Sequence, residues 1–199
     1  MRRILVIAAH PDDEILGCGA ILYGCKQLGA RTRVVFLGEG STCRFNVTEV
    51  RSEEALQATR DRTADSLLAL AIIKVDEYRF YDLPCGRFDQ VPIIDIGKIV
   101  ENEIASFKPD VVLTHSSVDI HNDHLRTHQA VLQATRPNAR NPVSEVLAFE
   151  TPSSTEWRFI SAFTPTIFFP LDEQAIEAKV SALMAYHSEI RDFPFPRSR

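Results

Sequence analysis

The chain has 199 residues, 45% of them hydrophobic and 25% charged. That composition excludes wholesale disorder, and the length suits a single domain over residues 1–199. With 27 acidic against 22 basic side chains the net charge is −5. Both halves are net negative, so no basic surface for nucleic acid or anionic membrane is expected, and no apolar run approaches the roughly 18–20 residues of a membrane span.

In chain order, residues 4–9 form a short apolar run that reads as a first strand. Arg2-Arg3 ahead of it gives a superficial likeness to a signal peptide. The run is too short for one, and His10-Pro11-Asp12-Asp13-Glu14 stands where a small-residue cleavage site belongs; the expected compartment is the cytoplasm. Residues 14–28, apolar at 15, 18, 22 and 25 and ended by Gly29, predict a helix. Residues 34–37 and 111–114 predict strands buried on both faces. A long helix is expected over 48–70, a strand over 78–81, and helices over 93–107 and 124–135. Residues 145–149 and 166–169 read as further strands, 173–190 as a final helix, and 192–197 as irregular. This alternation predicts an α/β fold: a mostly parallel, Rossmann-like sheet with helices on both faces. Cys18, Cys25, Cys43 and Cys85 form no CxxC pair and no zinc-finger spacing, and the first two fall at helical intervals with Ile15 and Leu22 as small core residues.

In such folds ligands bind beyond the carboxyl ends of the strands, where the polar segments fall. Asp12 or Asp13 alone could be a helix cap, but a cap does not account for His10 held before a proline at a strand end. His10 and Asp13 can converge on one point with Asp12 beside them. Four of the six histidines lie between 115 and 128. A catalytic zinc site needs three protein ligands and an open position, and His10, Asp13 and one histidine of His121-Asn122-Asp123-His124 supply such a set. A bound metal lowers the pKa of its water, Asp12 is the spare carboxylate to take the proton, and the second histidine can polarise a carbonyl or protonate the leaving amine. His115 and His128 read as structural. Trp157, in the polar segment 151–157, reads equally as a packed surface residue and as a platform for a sugar ring.

Ala9-His10-Pro11-Asp12-Asp13-Glu14 together with His121-Asn122-Asp123-His124 resembles the PIG-L/LmbE-like family of zinc-dependent de-N-acetylases. Weaker likenesses are Gly38-Glu39-Gly40 with Arg51-x-x-Glu54, Tyr81-Asp82-Leu83-Pro84 through Asp89, the approach 108–119, Tyr186-His187-Ser188-Glu189, and Pro196-Arg197-Ser198. Position 122 departs from the family's usual Pro. The resemblance implies His10, Asp13 and His124 as ligands of Zn2+, with Fe2+ or another divalent ion as alternatives. It implies Asp12 as general base and His121 as oxyanion stabiliser or acid. Asp123 is expected to orient His121 and favour its protonated form, raising its pKa. The implied partner is a small N-acetylated amino sugar or glycoconjugate, and self-association is left open. Two other readings compete. A non-haem iron enzyme uses the same two-histidine, one-carboxylate set, but has no need of a base such as Asp12. A non-catalytic binding module is weakened by the absence of a Gly-x-Gly-x-x-Gly or P-loop sequence.

Overall fold

The first strand, β1 (Arg3–Ala8), becomes the middle of the sheet because every one of its residues from Ile4 on is buried. Even-numbered side chains face one layer and odd-numbered ones the other, the period-2 alternation of a strand covered on both sides. The computed structural model describes residues 1–159 and 161–198. It contains four more strands, β2 (Arg31–Gly38), β3 (Glu77–Leu83), β4 (Val111–His115) and β5 (Glu145–Phe149), all parallel, in the order β3-β2-β1-β4-β5. The α-helices among the described residues are α1 (Asp13–Gln27), α2 (Glu53–Ile72), α3 (Ile93–Phe107), α4 (Asn122–Ala134) and α5 (Glu173–Leu183), with short 3-10 turns at Thr42–Arg44, Phe88–Gln90 and Thr155–Trp157.

Two cores follow from the alternation. Ile4, Val6, Val34, Phe36 and Leu113 pack with Ile15 and Leu22 of α1, Leu70 of α2, Ala182 of α5 and Tyr186. Leu5, Ile7, Val35, Leu37 and Val112 pack with Ile96, Val100 and Phe107 of α3 and with Ala130 and Val131 of α4. The predicted parallel α/β architecture with helices on both faces is therefore the one observed.

The sequence reading and the structure part company at residues 166–169. The segment has no regular secondary structure and belongs to no ladder. Pro165 and Pro170 flank it, and neither can donate to a ladder; Phe169 instead lines a surface cavity with Ile21, Cys25 and Leu28. The helix expected from residue 48 begins at Glu53, where the Ser52 hydroxyl accepts the Ala55 N–H. The final helix stops at Leu183, and Tyr186 beyond it is buried.

Strand order reverses direction beside β1, with β2 on one side and β4 on the other. The crevice at the carboxyl ends of β1 and β4 is thus the topological switch point, where open α/β sheets place their ligands. His10–Glu14 leaves β1 there, and His115–His124 leaves β4.

Candidate active site

Asp12 sits at the turn from β1 into α1 with φ 114° and ψ −31°, in a region that L residues rarely occupy. It stands at the cap position of α1 yet makes no side-chain cap hydrogen bond, so its carboxylate is spared for other contacts. Gly40, at φ 77°, allows the loop after β2 to lie against this turn: a Cβ there would stand 3.2 Å from His10 Cβ and 3.2 Å from Pro11 Cδ.

Around this turn Asp13 approaches His10 and His124 pairwise, one through each of its oxygens, although the three expected ligands do not form one mutually close set of donor atoms. Asp13 Oδ2 accepts the His10 backbone N–H at 2.8 Å, and lies 3.7 Å from His10 Nδ1. Its other oxygen, Oδ1, lies 3.3 Å from His124 Nε2. Two donors about 2.0–2.1 Å from a tetrahedral ion stand roughly 3.3–3.4 Å apart, so both spacings are close to those of a shared metal. The far nitrogen of each histidine is engaged by a buried carboxylate. His10 Nε2 is 2.9 Å from Asp123 Oδ2, and His124 Nδ1 is 2.9 Å from Asp119 Oδ2. A carboxylate on the outer nitrogen is the arrangement that aims a ligating imidazole at its metal. On this donor chemistry the residues fit a divalent ion.

Two sets of donor atoms lie mutually within 4.8 Å around His124, namely His10–His121–His124 and Asp13–His115–His124; His10–Cys85–Asp123 forms another. Hydrogen bonding separates their members. His115 Nε2 accepts the Ala9 N–H at 2.9 Å, which occupies the nitrogen nearest Asp13, and its ring stacks on His124 at 3.9 Å between centroids. Asp123 is likewise spent, because it also accepts the Gly86 and Phe88 N–H groups at 2.5 and 3.0 Å. His128 lies at hydrogen-bond distance, 2.8 Å, from the His115 carbonyl.

The electrostatics sort the groups further. Burial alone would raise Asp13, but the facing His124 and His115 outweigh it and hold the carboxyl well below its ordinary range. Burial would likewise lower His124, yet Asp13 and Asp119 overcome it and raise the imidazole to about 10. Asp12 is raised to about 6, mainly by burial, with Asp13 adding to the rise and Arg62 and Arg197 opposing it. Arg197 Nη1 donates to Asp12 Oδ2 at 2.7 Å, and Arg62 Nη1 stands 3.7 Å away.

One expectation is reversed. The Asp123 carboxylate is bonded to His10, not to His121, and His121 Nδ1 accepts the Asp123 backbone N–H at 3.2 Å as the cap of α4. Burial, with His124 and His10 close by, lowers His121 to about 4 rather than raising it. With Nδ1 accepting, the proton of the neutral ring is on Nε2, so His121 is a hydrogen-bond donor and not an imidazolium. Asp119, whose role spacing alone does not reveal, is fully buried and also accepts from the hydroxyls of Ser154 and Thr155 at 2.9 and 3.2 Å. A signal for it exists: it lies between a strand-end histidine and a histidine pair. Glu39, a weaker sequence candidate, accepts the N–H groups of Ser41, Thr42 and Cys85 and organises the loops. Arg51 is exposed, and Trp157 is 53% exposed.

Comparison with known proteins identifies the family. The family model PIG-L, described as GlcNAc-PI de-N-acetylase, matches residues 5–135. The uncharacterized deacetylase YaiS of Escherichia coli (strain K12) is 31% identical over 191 residues, covering 94% of this chain and 91% of that protein. The 1D-myo-inositol 2-acetamido-2-deoxy-alpha-D-glucopyranoside deacetylase of Mycobacterium sp. (strain KMS) is 26% identical over 228 residues, covering 94% of this chain and 74% of the relative. The N,N'-diacetylchitobiose deacetylase of Pyrococcus horikoshii shares the fold, with a TM-score of 0.77 at 16% identity over 96% of this chain and 72% of that one. The span of the family match, together with a relative aligned along almost its entire length, establishes that this chain belongs to the PIG-L family and is a de-N-acetylase.

Proposed function

We propose that the protein is a zinc-dependent hydrolase that removes an N-acetyl group from an amino sugar or amino-sugar conjugate, releasing acetate and a free amine. The observation that carries this reading is the convergence of His10 Nδ1 and His124 Nε2 on the two oxygens of Asp13, each ring backed by its own carboxylate. His10, Asp13 and His124 would hold the ion. When bound, a divalent metal supplies Lewis acidity and lowers the pKa of a coordinated water toward about 7. Asp12, raised to about 6 by burial, is tuned to accept a proton near neutral pH and to return it to the departing amine. His121, neutral and with its proton on Nε2, donates a hydrogen bond to the oxygen on which charge develops, the work of an oxyanion hole. Asp123 acts on His10 and Asp119 on His124, orienting the rings. The spare carboxylate favours hydrolysis over iron-dependent oxygenation, for which Asp12 has no use. The amino-sugar substrate is supported by the names of the relatives. The free cysteines and the ordinary composition support a cytoplasmic location.

The test is metal analysis of the purified protein, coupled to an amine-release assay over a panel of N-acetylated sugars. About one zinc per chain is expected, with release from at least one sugar. Asp12→Asn should keep the metal and lose roughly two to four orders of magnitude in kcat. Full metal occupancy in His124→Ala would overturn the ligand set, and near-normal turnover by zinc-loaded Asp12→Asn would remove Asp12 from the role of base.

A further inference from the structure

The C-terminal segment 191–198 forms only turns, yet it delivers one side chain into the buried site. Arg197 Nη1 donates to Asp12 Oδ2 at 2.7 Å across 185 positions of sequence. The same guanidinium uses Nε to reach Ser153 Oγ at 2.8 Å, and its Nη1 lies 3.3 Å from Glu189 Oε2. The second cation nearby, Arg62, pairs with Glu189 at 2.8 Å and stands 3.7 Å from Asp12. Arg197 is therefore the side chain that hydrogen-bonds the Asp12 carboxylate, while Arg62 acts on it through charge alone, and Oδ1 takes no hydrogen bond from any described residue.

Ser153 gives this contact a wider reach. It belongs to the short segment whose next two hydroxyls, on Ser154 and Thr155, donate to Asp119, the carboxylate behind His124. One segment thus steadies a metal-ligand candidate through Asp119 and anchors the Asp12 partner through Ser153. An unpartnered carboxylate turns easily about its terminal torsion, which is broad and roughly two-fold. A guanidinium stays charged at all working pH values and makes directed, charge-assisted bonds, so it fixes the carboxylate plane.

We infer that Arg197 is a positioning residue for the de-N-acetylation reaction: it clamps Oδ2 of Asp12 to the 153–155 segment and thereby reserves Oδ1 as the oxygen that accepts the proton. The inference rests on the reading of Asp12 as general base. It gives the C-terminal turn a part in turnover rather than in covering the surface.

The experiment is a double-mutant cycle between Arg197→Ala and Asp12→Asn in the full chain, read in two ways. The first is kcat and KM of the zinc-loaded protein on the best-cleaved N-acetyl sugar of the panel. Arg197→Ala should lower kcat about 10–100-fold, as loss of an outer-shell partner does, with KM and zinc content unchanged. Arg197→Lys should recover part of that loss. In the Asp12→Asn background Arg197→Ala should cost nothing further, since residues acting as a unit are not additive. The second reading is thermal unfolding of the metal-free protein. There Arg197→Ala should lower Tm by about 2–4 °C in the parent and by less in Asp12→Asn, where the bonds to Ser153 and Glu189 are still lost but the ion pair is already gone. A further loss of kcat by the same factor in Asp12→Asn would overturn the inference and leave the base in place. Unaltered kcat in Arg197→Ala would do the same, as would loss of zinc that Arg197→Lys does not reverse. Full activity of Asp12→Asn would remove the base reading and the inference together.

Discussion

At the scale of single residues, the protonation of His124 has a direct consequence for metal uptake. In the metal-free protein the ring lies between Asp13 and Asp119, which raise it to about 10 against the effect of burial, so at pH 7 it carries a proton that a metal must displace. Zinc loading at pH 7 should therefore release about one proton per ion, and apparent affinity should climb about tenfold per pH unit below that value. Calorimetric titrations in buffers of different ionisation enthalpy measure the release, and identical heats in all buffers would contradict it. Glu14 provides a second prediction, this one on stability. Burial raises it to about 8, while its oxygens accept from the Tyr186 hydroxyl at 2.6 Å and the Asp12 N–H at 2.9 Å. Its folded-state value lies above the ordinary 4.5, so the folded chain keeps a proton that the unfolded chain has already lost. Stability should fall as pH rises from about 5 to 8, by on the order of a few kcal/mol, and level off above. Glu14→Gln, which keeps the shape, accepts the Asp12 N–H through its amide oxygen and can donate its amide N–H to the Tyr186 hydroxyl, should flatten that decline in a series of melting temperatures across pH. A parallel decline in the variant would assign the effect elsewhere.

At the scale of elements, the site depends on loops that reach one another across the sheet. The turn after β3 gives the N–H groups of Gly86 and Phe88 to Asp123 at the start of α4, and Asp123 in turn holds His10 at the end of β1. Asp123→Ala should therefore weaken zinc binding about 10–100-fold and leave the helices intact by circular dichroism; unchanged zinc affinity would mean that His10 needs no such support. This relay also shows where reading the sequence succeeds and where it stops. β1 and β4 are legible because buried parallel strands must be apolar throughout, and the polar turns after them stand out against that background. His10, Asp12, Asp13, His121 and His124 are legible for the same reason. What spacing cannot carry is which carboxylate faces which ring. Asp123 is two residues from His121 but bonds His10, 113 positions away, because the start of α4 aims its side chain across the crevice. Asp119 and Arg197 are obscure in the same way. The 166–169 run misleads in the other direction, since its apolar side chains satisfy a strand pattern while its flanking prolines deny it a partner.

At the scale of the whole molecule, the chain brings turns from the ends of β1, β2, β3, β4 and β5 and a residue of the C-terminal segment to one crevice of a parallel sheet, at the place where strand order reverses. Among the described residues no helix is long and apolar enough to cross a membrane. The backbone of Asp12 bears on how the molecule as a whole has been balanced. At φ 114° this position is one that glycine would occupy with less strain, by about 1–3 kcal/mol, and the buried carboxylate adds a desolvation cost at neutral pH. Replacing it with the relaxed residue, Asp12→Gly, should raise the melting temperature at pH 7 while abolishing turnover. A variant that melts lower than the parent would show that the ion pair with Arg197 outweighs the strain. On the expected outcome, selection for thermostability alone would discard the residue that the chemistry needs, so this enzyme trades fold stability for activity at a single backbone turn.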